Sequence, residues 1–254
     1  MRGRGAPVAE PGRLGALLTG AFVAPEVFAL RPDYRALLLV AEGIEPGPSD
    51  PASEQLLEQA ESAARQRLAA QPVEDLPHVT AWRDAYRSFG AKPSRTRNSV
   101  EALLRRAATA GLPRVNRLTD LYNAISVLHE VPIGGEDADR YAGPPRLVRA
   151  EGTEVFDTVD AGREVLEHPD AGEVVWGDPE GVTCRRWNWR QGRRTRLLDD
   201  TTAALFIVDA LAPLDDDGLA GVADRLEERL VLLGRDVAVA RRTLAAPPAP
   251  TRGG

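Results

Sequence analysis

The sequence predicts an α+β fold. Three observations carry that expectation. Apolar residues of the first half recur at helical spacing, those of the second half fall in short β-rich runs, and Gly, Pro, Asn and Asp punctuate both. Helices come first and strands later, so the sheet should be mostly antiparallel and come largely from the C-terminal half. The chain has 254 residues and 43% hydrophobic content, enough for a sizeable core. No internal repeat or linker divides it. One folded domain is expected over residues 14–244, between Gly-, Pro- and Arg-rich tails at 1–13 and 245–254 that read as disordered.

In chain order, residues 27–30 and 37–40 read as strand-like runs, split by Arg31-Pro32-Asp33-Tyr34. Asp50 caps a helix with Pro51 at its first position. That helix runs to about Ala70, with Leu56, Leu57, Ala60, Ala64 and Leu68 on one side. A shorter helix spans about 77–88, and its Trp82 and Tyr86 are expected in the core. Asn98 and Ser99 introduce a helix with Val100, Leu103, Leu104 and Ala107 on one face, stopped by Gly111 and Pro113. Thr119 or Asp120 caps the next helix, with Leu121, Ile125 and Leu128 buried, and Pro132 and the Gly134-Gly135 pair end it. Short strands are expected at 147–150, 154–156, 173–176, 182–189 and 203–208, with a hairpin turn at 177–181. A last helix covers about 218–233.

One helix carries an unusual stripe. Asp120, Asn123 and Ser126 recur every three residues, and Asn116 precedes them by four. Asn, Asp and Ser compete with the helix backbone, so a run of them costs helix stability and points either to local caps or to a ligand. Further on, alternation over 183–190 would place Trp187 and Trp189 on one face and Asn188 on the other, where its amide can read a polar ligand. Cys184 reads as a buried small hydrophobe. Ser126 and His129 lie three apart and can touch, but a catalytic pair also needs an orienting acid and an oxyanion hole.

Composition excludes several classes. No apolar run is long enough to span a bilayer, and no apolar signal core follows Arg2 and Arg4, so no membrane partner and no secretion are expected. Cys184 is the only cysteine, which fits a reducing cytoplasm. His78, His129 and His168 lie far apart and form no local zinc motif, so neither a metal nor a cofactor is expected. The net charge of −6 argues against indiscriminate nucleic-acid binding, and no DNA partner is expected. The charge is uneven, however. Residues 83–117 hold nine basic residues against two acids, and residues 185–196 hold six arginines and no acid. Such windows can hold one phosphate-bearing partner, with Lys92, Arg95, Arg97, Arg186, Arg193 and Arg194 as the candidate RNA contacts. Lys92 is the only lysine in an otherwise all-arginine set.

Two motifs carry a family resemblance. Residues 116–126 (NRLTDLYNAIS) and 132–137 (PIGGED) resemble the B3/B4 domain, the editing module of the phenylalanyl-tRNA synthetase beta subunit. FGAKPSR at 89–95 and RRWNWR at 185–190 fit the free-standing B3/B4 proteins better, and the likeness spans residues 27–234. The resemblance implies a pocket for an amino acid-like small molecule or the aminoacyl-tRNA 3′ end, lined by Asn116, Asp120, Asn123, Gly134, Gly135 and Asp137. Ser126 on the stripe and Asn188 on the later strand complete the candidate set. It implies hydrolysis of mischarged aminoacyl-tRNA as the activity to test, and no ligase activity. The alternative is a tRNA or small-molecule binding module that keeps the pocket without the reaction. One departure bears on this choice. The histidine that the synthetase motif carries two positions after the proline is Gly134 here, and Arg196 lies near where a synthetase glutamate is expected.

Overall fold

The computed structural model describes residues 12–247. In order, the elements are α1 (Arg13–Gly20), β1 (Phe22–Val23), α2 (Pro25–Leu30), β2 (Arg35–Glu42), α3 (Pro51–Ala70), α4 (Pro77–Ser88), α5 (Ser99–Thr109) and α6 (Arg117–His129). They continue with β3 (Ile133–Asp137), β4 (Arg146–Arg149), β5 (Phe156–Asp160), β6 (Arg163–Glu167), β7 (Val174–Gly177), β8 (Val182–Arg185), β9 (Arg190–Gln191), β10 (Ala203–Ala210), α7 (Asp216–Leu230) and β11 (Ala238–Ala245). The fold is α+β, as expected. The two tails lie mostly outside the described residues.

The fold is built on a four-stranded antiparallel sheet of order β11-β2-β10-β3. Its two inner strands are apolar on both faces, so they read as continuous hydrophobic runs rather than as alternation. Leu37, Leu39 and Ala41 of β2 with Ala204, Phe206 and Val208 of β10 face a helical layer of α3, α5, α6 and α7. Ala36, Leu38 and Val40 with Ala203, Leu205 and Ile207 face the opposite way. There they meet Trp82 and Tyr86 of α4, Val27 of α2, and a five-stranded sheet of order β1-β4-β7-β8-β9. That sheet is antiparallel except for the parallel β1–β4 pair. A β5–β6 hairpin flanks it.

Local chemistry accounts for most of the boundaries. Asp50 accepts from the Ser53 amide and the Ser53 hydroxyl answers it, a reciprocal cap ahead of Pro51. Asn98 caps α5 and Asp215 caps α7 one-sidedly, their side chains accepting from the Glu101 and Gly218 amides. Two expectations need correction here. Residues 27–30 are helical, because Pro25 at the first position fixes a helical φ and Val27 buries against β2's second face. The cap of α6 is Asn116, not Thr119 or Asp120; its side chain accepts from the Thr119 amide at 2.8 Å. The last helix likewise begins at Asp216, and the strand at 238–245 was not expected from the sequence.

Candidate functional site

The cavity at the open edge of the central sheet is built from four parts: α5 and α6, edge strand β3, the end of β10, and the β8–β9 connection. Its volume is about 230 Å³. Tyr122, Trp176, Trp187 and Trp189 form aromatic walls, and Ser99, Asn123, Glu136, Asn188, Gln191 and Asp209 supply polar groups.

The polar stripe on α6 separates into two kinds of residue. Asn116 is the helix cap, and its Nδ2 also donates to the Leu197 carbonyl at 3.4 Å. Asp120 is fully buried; one carboxylate oxygen accepts from the Val115 amide at 2.9 Å and the other from the Ser53 hydroxyl at 3.1 Å. It ties the loop before α6 to α3. Ser126 donates to the Val131 carbonyl at 2.6 Å and closes the far end of the helix, so it is no partner for His129. Asn123 differs from all three. It is 7% exposed, lines the cavity, and has no side-chain hydrogen bond among the described residues.

The glycine pair is placed differently from expectation. Gly134 and Gly135 do not form a turn; they lie in β3, opposite Ile207 and Phe206 of β10. Close approach explains them. A Cβ on Gly135 would sit 2.7 Å from the Tyr122 ring, and one on Gly134 would sit 3.0 Å from Gln191 Nε2. The Gln191 amide donates to the Gly135 carbonyl at 3.1 Å, joining the two sheets at the cavity. Asp137 lies away from the cavity lining. It accepts from the Asp139 amide at 3.0 Å and the Thr201 hydroxyl at 2.9 Å, and so fixes the corner after β3.

The expected strand over 182–189 stops at Arg185. Arg186 and Trp187 take left-handed backbone conformations, with φ of 47° and 68°. This is strained for an indole-bearing residue and is held by surrounding structure. The Trp187 amide donates to the Val174 carbonyl at 2.6 Å, and its ring packs edge-on against Tyr34 and Trp82 at 4.9 and 5.3 Å. Trp187 and Trp189 therefore do not share a face. Trp187 is fully buried, whereas Trp189 is half-buried under the Arg186 guanidinium at 4.6 Å. The turn aims Asn188 at the cavity, and the Ser99 amide docks on the Asn188 carbonyl at 3.1 Å.

Two carboxyl groups that sequence reasoning missed also line this cavity. Asp209 on β10 accepts from the Tyr34 hydroxyl at 2.5 Å and from Asn188 Nδ2 at 3.3 Å, and Asn188 in turn accepts from the Tyr86 hydroxyl at 2.9 Å. Burial pushes the Asp209 carboxyl up to about 7, with these donors restraining the rise. Trp176 lies near enough to assist, short of hydrogen-bond geometry. Glu136 on β3 is also raised by burial, restrained first by the Tyr141 hydroxyl bonded to it. A signal was present: Asp209 is the one acid in the otherwise apolar run AALFIVDA. Burial pushes the Cys184 thiol well up, as expected for a buried small hydrophobe.

Three lining groups, Ser99 Oγ and the Trp176 and Trp187 indole N–H groups, are buried with no hydrogen-bond partner among the described residues. Among the described residues no group of three or more His, Cys, Asp and Glu side chains is placed to hold a metal ion, and no helix is long and apolar enough to cross a membrane.

The basic windows also sort themselves. Arg186 pairs with Glu173 at 3.4 Å, Arg193 with Asp157 at 3.0 Å and Glu164 at 2.6 Å, and Arg194 with Asp178 at 2.7 Å. Arg97 lies 3.7 Å from Glu101. Lys92 and Arg95 are exposed and have no acidic partner among the described residues.

The family model for the B3/4 domain matches residues 81–217, more than half of the chain, and the chain belongs to that family. An N-terminal fragment of the phenylalanyl-tRNA synthetase beta subunit from Pyrococcus horikoshii is similar at 13% identity and a TM-score of 0.43, over 88% of this chain. This chain spans about half the length of that fragment. No curated protein matches.

Proposed function

We propose that the cavity receives the aminoacyl group of an aminoacyl-tRNA, or a free amino acid analogue of similar shape. One observation carries this reading: polar groups without protein partners converge on an aromatic-walled space. Asn123 has no side-chain hydrogen bond and Ser99 Oγ no partner among the described residues, and leaving such a buried group unmatched costs roughly 1–3 kcal/mol. A ligand that pairs with them recovers that cost. Asp209 and Glu136 can face an ammonium group, while Tyr122 and Trp176 offer flat apolar surface. Family membership supports the same class of ligand.

Hydrolysis in trans of a mischarged ester is the second reading, and Asp209 favours it. A carboxyl titrating near 7 is in the range suited to a general base at neutral pH. Two measurements test the pair of readings. The first is calorimetric titration of the wild-type chain and Asn123→Ala with a panel of amino acid amides. The second is ester turnover on a panel of mischarged tRNAs, with Asp209→Asn beside wild type. Binding weakened by Asn123→Ala supports the cavity as the aminoacyl site, and turnover lost in Asp209→Asn adds the reaction. Binding without turnover leaves a recognition module. If no amide binds and no ester turns over, the assignment fails.

A further inference from the structure

A second hollow of about 340 Å³ lies on the far side of the β8–β9 turn from the aromatic cavity. Its wall comes from the segment after α4. Gly90, at φ 87°, ends that helix in the left-handed conformation, and the Ala91 amide returns to the Tyr86 carbonyl at 3.0 Å. A tight turn follows, in which the Lys92 carbonyl accepts from both the Arg95 and Thr96 amides at 2.9 Å, with Pro93 buried beneath. This fixed turn places Lys92 and Arg95 on the hollow. Arg186 completes it from the opposite side, with its guanidinium on the Thr96 hydroxyl.

Acids line the hollow too, but they do not neutralise it. Glu173 is buried and already held by Arg185 at 2.8 Å and Arg186 at 3.4 Å, and the exposed Asp170 lies 3.6 Å from Arg186. Lys92 and Arg95 remain as two cations without an acidic partner among the described residues, on a hydrogen-bonded turn. Arg186 is also the link to the cavity, because it lies in the hollow's wall and stacks on Trp189, which lines the cavity.

We infer that this hollow is an anion subsite that takes a phosphate or phosphodiester group, with Lys92 and Arg95 as its ligands and Arg186 as the element that positions it beside the aromatic cavity. As the phosphate-facing half of an aminoacyl-RNA site it rests on the function proposed above, yet its own chemistry is tested separately. The same phosphate chemistry can come from an RNA end or from a free phosphorylated compound.

The probes are a single-stranded ribonucleotide trimer, adenosine monophosphate, inorganic phosphate and adenosine, titrated into the full chain over a salt series. Lys92→Ala/Arg95→Ala is compared with wild type and with Arg225→Ala/Arg241→Ala, a control on the exposed face of α7 and β11. The expected result is trimer binding weakened at least about tenfold in the Lys92/Arg95 variant alone, with the log–log salt slope smaller by about 1.4 for two lost phosphate contacts. Adenosine should bind no variant differently. Binding of the trimer but not of adenosine monophosphate or phosphate assigns the site to RNA. Equal binding of all three phosphate probes assigns it to a free phosphorylated ligand. If no phosphate probe binds wild type, or if the Lys92/Arg95 variant binds as wild type does, the subsite is overturned. Both side chains are exposed, so the fold should tolerate their loss, and a melt at wild-type temperature confirms it. Amino acid amide binding, measured on the same variant, reports on the aromatic cavity alone, so failure of one assignment is distinguishable from failure of the other.

Discussion

The arginine-rich wall behind β8 and the cavity in front of it are made from neighbouring residues but follow opposite rules. On the wall, nearly every charge is matched. Arg185 sits between Glu173 and Glu167, both at 2.8 Å, Arg193 between Asp157 and Glu164, and Arg194 on Asp178. In the cavity, the Asn123 side chain and Ser99 Oγ have no hydrogen-bond partner among the described residues, and Asp209 and Glu136 are buried without a cation bonded to them there. Matched groups hold the fold together, while unmatched groups are available to a ligand. The contrast teaches that residue type alone does not tell the two apart. Six arginines within twelve residues look like an RNA surface, yet the β5–β6 hairpin and the segments flanking β7 bring acids to five of them.

Removing a matched charge should have the largest effect. Arg185→Met leaves Glu173, whose side chain is 2% exposed, without its bidentate partner. The expected loss is about 3–5 kcal/mol in a denaturant titration. A loss under about 1 kcal/mol would erase the distinction between wall and cavity.

Asp209 lies on the border between the two regions, being hydrogen-bonded but without a counter-charge. Its folded value of about 7 lies above the 3.8 of a free aspartate. The protonated form therefore contributes stability that is complete below about pH 4 and is lost as pH rises through 7. Melting of wild type should fall between pH 5 and pH 9 by more than melting of Asp209→Asn. At 1.36 kcal/mol per pH unit, the stretch from pH 5 to about 7 brings the difference to up to about 3 kcal/mol. Parallel pH profiles for the two proteins would mean that Asp209 is ionised in the fold.

The stripe on α6 gives the sharpest internal comparison, because Asp120 and Asn123 lie three residues apart. Asp120→Ala strips acceptors from the Val115 amide and the Ser53 hydroxyl and should cost about 1–3 kcal/mol. Asn123→Ala removes no protein hydrogen bond and places the better helix former, so its stability should stay level or rise by up to ~0.7 kcal/mol. Its amino acid amide affinity should instead drop by roughly 1–3 kcal/mol. A thermal melt of each variant decides this, and a clear drop for Asn123→Ala would make the whole stripe structural. Smallest of all should be Arg193→Ala, whose ion pairs are partly open to solvent and screened by it, so its melt should lie close to that of wild type.

Much was legible in the order of residues alone. The α+β class, the caps at Asp50 and Asn98, the stop at Gly111, and the helix carrying the polar stripe all follow from local rules. These are helical or alternating period, side-chain oxygens that reach backbone amides two or three residues away, and glycine's access to left-handed conformations. The family motifs were legible too, and α6 and β3, which carry them, both line the cavity. Interactions of longer range were not. Whether Asn116, Asp120, Asn123 or Ser126 faces a ligand depends on what lies opposite each: the Leu197 carbonyl, the Ser53 hydroxyl, an empty cavity, or the Val131 carbonyl. Gly135 is explained only by the Tyr122 ring above it, and Asp209 only by Tyr34, 175 residues earlier in the chain. Sequence determined the elements because helix and strand are chosen by neighbours within a few residues. Tertiary structure decided the site, because hydrogen bonding and desolvation depend on groups that the chain brings together only after it has folded.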